Sequence, residues 1–456
     1  LLAGASQPAA RPVPPPSQRL AKGQPLKQKL ELTWIGKQDR PRLEPRILLE
    51  DSERSYHAAH RVSDEDIFDN RLIHGDNLLA LKALEQEFSE RIRCIYVDPP
   101  FNTGQAMENY DDGLEHSIWL GLMSERLSVL HRLLTADGTI FVHIDDNELG
   151  YLIVLMDEIF GRSNRLYVVS FKQGSATGHK AINPGCVNTT NFVLMYAKNK
   201  SKWAPNRVFT ARGRDVRYNQ FITNPDEGFE KWQTSTLMSA FAESEGISER
   251  EAREITKQDP ERIDEFVRDH ADQVVQFARP DYKNVSSAAR SLIDQSKAKP
   301  DRTFRLERDG YSDFYLKGGQ RFLFYSAKLK SIDGELVAGE PLTTLWDDIL
   351  SNNLHKEGGV KFPKGKKPEA LIKRVLDLAT GPGDWVLDSF AGSGTTGAVA
   401  HKMGRRWIMV ELGEHCETHV VPRISKVVDG SDLGGVTEEV GWKGGGGFRY
   451  YNLGTA

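Results

Sequence analysis

The 456-residue sequence predicts an α/β fold, a doubly wound sheet interrupted by an inserted, partly helical domain. Three observations predict it. Short apolar runs, of the kind buried on both faces of a parallel sheet, alternate with segments of helical spacing. Two of those runs lead straight into turns, Asp98-Pro99-Pro100 and Gly392-Ser393-Gly394. The alternation also stops near residue 200 and resumes after residue 340, which places one domain inside another.

Residues 1–30 are Pro-, Gln- and Lys-rich without periodicity and read as a flexible basic arm. The first half of the sheet domain is expected over 31–200. In it "RLIHGDNLLALKALEQEF" (71–88) reads as a strand, a turn at His74-Gly75-Asp76 and an amphipathic helix. "RCIYVDPP" (93–100) and "GTIFVHID" (138–145) read as buried strands, and "NFVLMYAK" (191–198) as another. Helical spacing marks "SIWLGLMSERLSVLHRLL" (117–134) and "NELGYLIVLMDEIFG", which ends at Gly161. Residues 201–340, charged and irregular around helices such as 248–270, form the expected inserted domain. Over 341–427 "PEALIKRVLDLAT" and "TTGAVAHKMG" read as helices, "DWVLDSF" and "RWIMVEL" as strands. A Gly-rich segment and a last strand fill 428–456.

Net charge of −4 argues against a chain coated in nucleic acid. Lys356–Arg374, with seven Lys/Arg against two Glu, still suits local phosphate contacts as well as plain solvated surface. No apolar run reaches about 18 residues, so no membrane span is expected, and nothing resembles a signal peptide. Cys94, Cys186 and Cys416 lie far apart without a CxxC pair. They fit a reducing, cytoplasmic setting and offer neither a disulfide framework nor a zinc site. His143-Ile144-Asp145-Asp146 reads as a strand end and helix cap ahead of a metal site, so no metal is expected. Trp119 and Trp346 read as core.

Gly392-Ser393-Gly394-Thr395-Thr396-Gly397 formally matches GxGxxG, and Glu411 ends the next strand, where an acid can grip ribose hydroxyls. By itself the match favours a dinucleotide oxidoreductase about as much as anything else. Asp388 at the turn's entrance disfavours a pyrophosphate and favours a cationic nucleoside. S-adenosyl-L-methionine is such a molecule. The other turn suits its chemistry: Asp98 and the carbonyl of Pro99 are both held extended by a following proline, and neither proline supplies a competing N–H. Two fixed acceptors favour the pyramidal geometry that a nucleobase amine needs to attack a methyl group. Phe101 offers a face for an extruded base.

With these residues quoted, the chain resembles the amino-methylating DNA methyltransferases of the circularly permuted β class. The likeness is to modification subunits of type III restriction–modification systems above all. It is carried by "GDNLLAL" (75–81), "DPPFNTG" (98–104), "WDDI" (346–349), "KGKKPEALIKR" (364–374), "LDSFAGSGTTG" (387–397) and "RRWIMVEL" (405–412). It implies a Rossmann-like methyltransferase sheet, target recognition by residues 201–340, and transfer from S-adenosyl-L-methionine to adenine N6 in double-stranded DNA. Asp98, Pro99, Pro100 and Phe101 would hold and stack the flipped base. Asp388, Phe390, Gly392, Gly394, Thr395 and Thr396 would line the cofactor, Glu411 its ribose, Asp76 its adenine, and Lys367-Pro368 its carboxylate end. The family often has Tyr at the position of Phe101; the ring face is kept and the hydroxyl lost. A homodimer, a helicase–nuclease restriction subunit and a nucleoid-associated bacterial setting are implied as well. N4-cytosine methylation, a nicotinamide oxidoreductase and an inactive binding module are the competing readings.

Overall fold

The computed structural model describes residues 31–39, 42–102, 114–175, 185–332, 334–349, 354, 357–362 and 365–455. The expected arm at 1–30, and Thr103 and Gly104 of the proline motif, lie outside the described residues.

Before the insertion come β1 (Arg46–His57), β2 (Asn70–His74), α1 (Asn77–Phe88), β3 (Ile92–Val97), α2 (His116–Leu133), β4 (Leu134–Ile144), α3 (Asp146–Met156), β5 (Arg165–Lys172) and β6 (Thr190–Ala197). Then follow β7 (Phe209–Ala211), β8 (Gln220–Ile222), β9 (Thr234–Thr236), α4 (Leu237–Glu245), α5 (Glu249–Gln258), α6 (Pro260–Asp269), β10 (Val274–Ala278), α7 (Ser287–Ala298), β11 (Thr303–Leu306), β12 (Phe314–Lys317), β13 (Gln320–Phe324), β14 (Leu329–Ile332) and β15 (Glu335–Pro341). The chain closes with β16 (Leu345–Trp346), α8 (Glu369–Ala379), β17 (Trp385–Asp388), α9 (Thr395–Lys402), β18 (Arg406–Glu411), α10 (Val421–Val428) and β19 (Gly447–Thr455).

Ten of these strands form one sheet in the order β1-β19-β2-β18-β17-β3-β4-β6-β5-β16. The six from β19 to β4 run parallel, whereas β1 and β6 are antiparallel to their neighbours. Strand alternation sends Cys94, Tyr96 and Val386 to one face, where α8, α9 and α10 cover them. It sends Ile95, Val97 and Leu387 to the other, beneath α1, α2 and α3. The sheet is therefore doubly wound, and the apolar runs have no polar side because neither face meets water.

The strands expected at 93–100, 138–145 and 191–198 are present as β3, β4 and β6. Asp145 caps α3 by accepting from the backbone N–H of Asn147 at 3.0 Å, and Trp119 and Trp346 are buried. The insertion has the expected helices at α5 and α6, and also a six-stranded antiparallel sheet, β11-β12-β13-β10-β8-β9. Its strands are only three to five residues long and show little periodicity.

Candidate active site

Parallel pairing of β3 with β17, Leu387 beside Ile95, brings the two turns together at the carboxyl ends of adjacent strands. From β3 the chain winds to β4 on one side; from β17 it winds to β18 on the other. Such a reversal opens a crevice above the strand ends. Asp98, Lys367, Asp388, Phe390, Gly392, Thr395 and Thr396 line one pocket there, with Tyr96 as its floor.

The proline turn is rigidly mounted. The Trp119 indole donates to the Pro100 carbonyl at 2.9 Å, and Phe101 stacks on His143 with centroids 5.7 Å apart and planes 23° apart. His143 is wholly buried and pairs with the Tyr96 hydroxyl at 2.9 Å and the Asn191 amide at 3.3 Å. Burial and the nearby Lys367 charge hold its imidazole far below the usual histidine range, so the ring is a neutral support. Asp98 splits its two oxygens. Oδ2 forms an ion pair with Lys367 Nζ at 2.5 Å, while Oδ1 is buried without a hydrogen-bond partner. Burial raises the Asp98 carboxyl, and Lys367 opposes that rise.

The glycine turn is held by carboxylates. Gly392 and Gly394 take φ of 53° and 78°, and a Cβ at Gly394 would meet Val420 at 2.9 Å. Asp388 accepts from the Phe390 N–H at 2.9 Å and the Thr396 hydroxyl at 2.5 Å. Glu411 accepts from the Gly392 N–H at 2.7 Å and, on its other oxygen, from Leu412 and Gly413. His415 joins it at 3.0 Å; despite burial, these partners hold Glu411 below the usual carboxylate range. Burial, with Asp98 and Glu411 close by, pushes Asp388 up to about 7. Three crowded carboxylates suit a cationic ligand and disfavour a pyrophosphate.

Behind the turn, Arg423 of α10 donates to the hydroxyl of Thr395 at 2.8 Å and to the carbonyl of Ser393 at 3.2 Å. Arg423 also meets Glu369 at 2.8 Å, and Glu369 meets Lys402 at the same distance, all three being buried. Nothing in the sequence singled out Arg423 or His415, and His143 was weighed only as part of a strand end or metal site, not as the support of Phe101. Glu148 was missed too: wholly buried on α3, it accepts from Asn102 at 2.7 Å.

Other expected residues fall as follows. Asp76 caps α1 through Leu79 and meets Arg126 at 3.2 Å, beside Asn77, whose amide donates to the Ser389 carbonyl at 2.8 Å. Pro368 precedes α8. Lys367 was expected at a cofactor carboxylate; its ammonium pairs with Asp98 and lies 5.0 Å from the Phe101 ring centroid. Among the described residues of the basic run 356–374, Lys361 is exposed, whereas three others are engaged within the fold. Lys366 donates to the Val360 carbonyl at 3.2 Å, Lys373 pairs with Glu439 at 2.6 Å, and Arg374 pairs with Asp348 at 2.6 Å. Charge counting did not reveal that these side chains turn inward to acids and carbonyls.

A family described as DNA methylase matches residues 92–421. The chain is 35% identical to a probable type III restriction-modification enzyme HindVI Mod subunit of Haemophilus influenzae, over 86% of this chain and 55% of that protein. It is 26% identical to the type III restriction-modification enzyme EcoPI Mod subunit of Escherichia phage P1, over 82% of this chain and 61% of that protein. Identity to the type II methyltransferase M.EcaI of Enterobacter cloacae is also 26%, over 85% and 76% respectively. The chain thus spans little more than half the length of the first two relatives.

Proposed function

The chain belongs to the DNA methylase family, and from that membership we propose that it methylates the N6 amine of a flipped adenine in double-stranded DNA. The observation that carries the proposal is Asp98 Oδ1, a buried acceptor without a partner, in the same pocket as the Gly392 turn. An adenine amine is a weak nucleophile because its lone pair is delocalised into the ring. Asp98 Oδ1 and the Pro99 carbonyl accept its two N–H groups and favour the pyramidal form, whose lone pair is available. Phe101 stacks the base, backed by His143. Asp98 is also placed to take the proton that the amine sheds. The cleft's carboxylates fit S-adenosyl-L-methionine, which supplies an electrophilic methyl group when bound. The turn at Gly392–Thr396 and the chain at Lys367-Pro368 would hold it. The same carboxylates weigh against a nicotinamide dinucleotide, which carries two phosphates.

The test supplies labelled S-adenosyl-L-methionine and unmodified double-stranded DNA, then analyses the nucleosides. N6-methyladenine is expected; N4-methylcytosine would move the target, and unlabelled DNA would refute the function. Asp98→Ala is expected to lower transfer by about 10²–10³-fold while cofactor affinity stays within about threefold. The HindVI and EcoPI relatives are named as subunits of restriction enzymes. We extend this to a restriction partner carrying helicase and nuclease activity, a homodimeric modification unit, and a place in the bacterial cytoplasm beside the nucleoid. Co-purification with the neighbouring restriction subunit tests the first of these.

A further inference from the structure

Residue 367 touches both halves of the site. Its carbonyl accepts from the Thr395 hydroxyl at 3.4 Å, and its ammonium holds Asp98 Oδ2 at 2.5 Å. Pro368 follows it, which restricts the Lys367 backbone to extended conformations. We propose that Lys367 is a positioning residue for methyl transfer: it keeps Asp98 anionic, turns Oδ1 toward the amine, and ties that alignment to the cofactor turn. This inference rests on the function proposed above.

The surroundings of Asp98 make the cation necessary. Asp388 faces it from β17, with Glu411 beyond on β18, both acidic. The Tyr96 hydroxyl comes from β3, and burial with the two aspartates holds it well above the usual tyrosine range. From β4 comes His143, which is neutral. Among the described residues, Lys367 is the cation that forms an ion pair with Asp98. Without it, desolvation, with Asp388 close by, would favour a protonated carboxyl. A neutral carboxyl accepts hydrogen bonds about half as strongly as a carboxylate and cannot take the amine's proton. Fixing Oδ2 also leaves one oxygen, Oδ1, for the substrate.

A competing role is available to the same geometry. The ammonium meets Asp98 and the Phe101 ring, the two groups that would receive the base, so it could be a plug that the base displaces. The two roles predict opposite effects of removal.

The test measures methyl transfer to unmodified double-stranded DNA across pH for the wild type, Lys367→Met, Lys367→Gln and Lys367→Arg. S-adenosyl-L-methionine affinity and melting are measured on each. Removing the positive charge is expected to cut kcat by about 10²-fold near neutral pH. The acid limb should move to higher pH by roughly one to two units, because the lost cation had held Asp98 down. The KM for DNA should change by no more than about threefold, so the loss falls on kcat. Lys367→Arg should restore most of the activity and return the limb to its wild-type position. A limb indifferent to residue 367 overturns the proposal, as does a faster Lys367→Met enzyme with a lower DNA KM. If Met does not fold, Gln carries the same readout. A wild-type chain that leaves DNA unmethylated refutes the function itself; an active wild type with an unmoved limb refutes only the role of Lys367.

Discussion

Two side chains at the site have effects that can be worked out from their immediate contacts. Phe101 stacks on His143 with planes 23° apart, so on the proposed function its ring would be a fixed platform for a base. Phe101→Tyr keeps the platform and is expected to stay active. Phe101→Ala removes stacking worth about 1–3 kcal/mol, so the KM for DNA should rise by roughly 5–150-fold. A 2-aminopurine fluorescence titration would report the same loss, and an unchanged signal would rule out stacking on this ring. Asp388, at about 7, makes a prediction in pH. Its folded value lies above that of an unfolded aspartate, so the neutral form is the one the fold favours. The stability it contributes is complete below the unfolded pKa and is lost as pH rises through about 7. A cationic ligand reverses this preference and favours the anion. Affinity for S-adenosyl-L-methionine should therefore tighten with rising pH and level off above about 7, with proton release on binding. Calorimetry in buffers of different ionisation enthalpy measures that release, and Asp388→Asn should abolish it.

The elements that hold the glycine turn add a stability prediction. Lys402 on α9 is fully buried between Glu369, at 2.8 Å, and Asp432, at 2.7 Å. Lys402→Met keeps most of the volume but leaves Asp432 without its cation and Glu369 with Arg423 alone. Breaking a buried pair this way costs about 3–5 kcal/mol, visible as a lower denaturation midpoint. A variant of wild-type stability would show that these acids readily protonate or find water. How legible each element was follows from the same packing. β3 and β17 are covered on both faces, so their apolar runs and the turns they feed could be read directly. β5 could not: Tyr167 and Val168 are substantially exposed, and it lies next to the edge strand β16. The strands of the insertion are too short for a period to emerge. Both motifs of the site were legible because turn chemistry is local. The Lys367–Asp98 pair and Arg423 were not, since tertiary packing alone brings those side chains to their partners.

At the scale of the molecule, the insertion joins the ten-stranded sheet through a narrow neck. β7 pairs with β15, and the Leu342 N–H donates to the Val208 carbonyl at 3.0 Å, so the chain leaves and returns at one point. Asn206 anchors the departing strand by donating at 2.8 Å to the carbonyl of Asp377 in α8, which packs on the sheet. The insertion has its own apolar centre, where Phe241, Val267 and Val274 pack together. Both cores are thus satisfied separately, and closing so short a gap with a few Gly and Ser residues adds little loop entropy. A chain in which a few Gly and Ser residues link Val208 to Leu342 should therefore fold and bind S-adenosyl-L-methionine close to the wild-type level. On the proposed function, Asp98, Phe101 and the glycine turn would meet features common to every adenine and every methyl donor, which assigns sequence reading to the insertion. Site-specific methylation of that chain should fall by about a thousandfold or more, the usual gap between specific and non-specific DNA binding. Sequencing of methylated DNA provides the check. If the shortened enzyme marks the same sites as the intact one, recognition resides in the sheet domain and the insertion is a spacer.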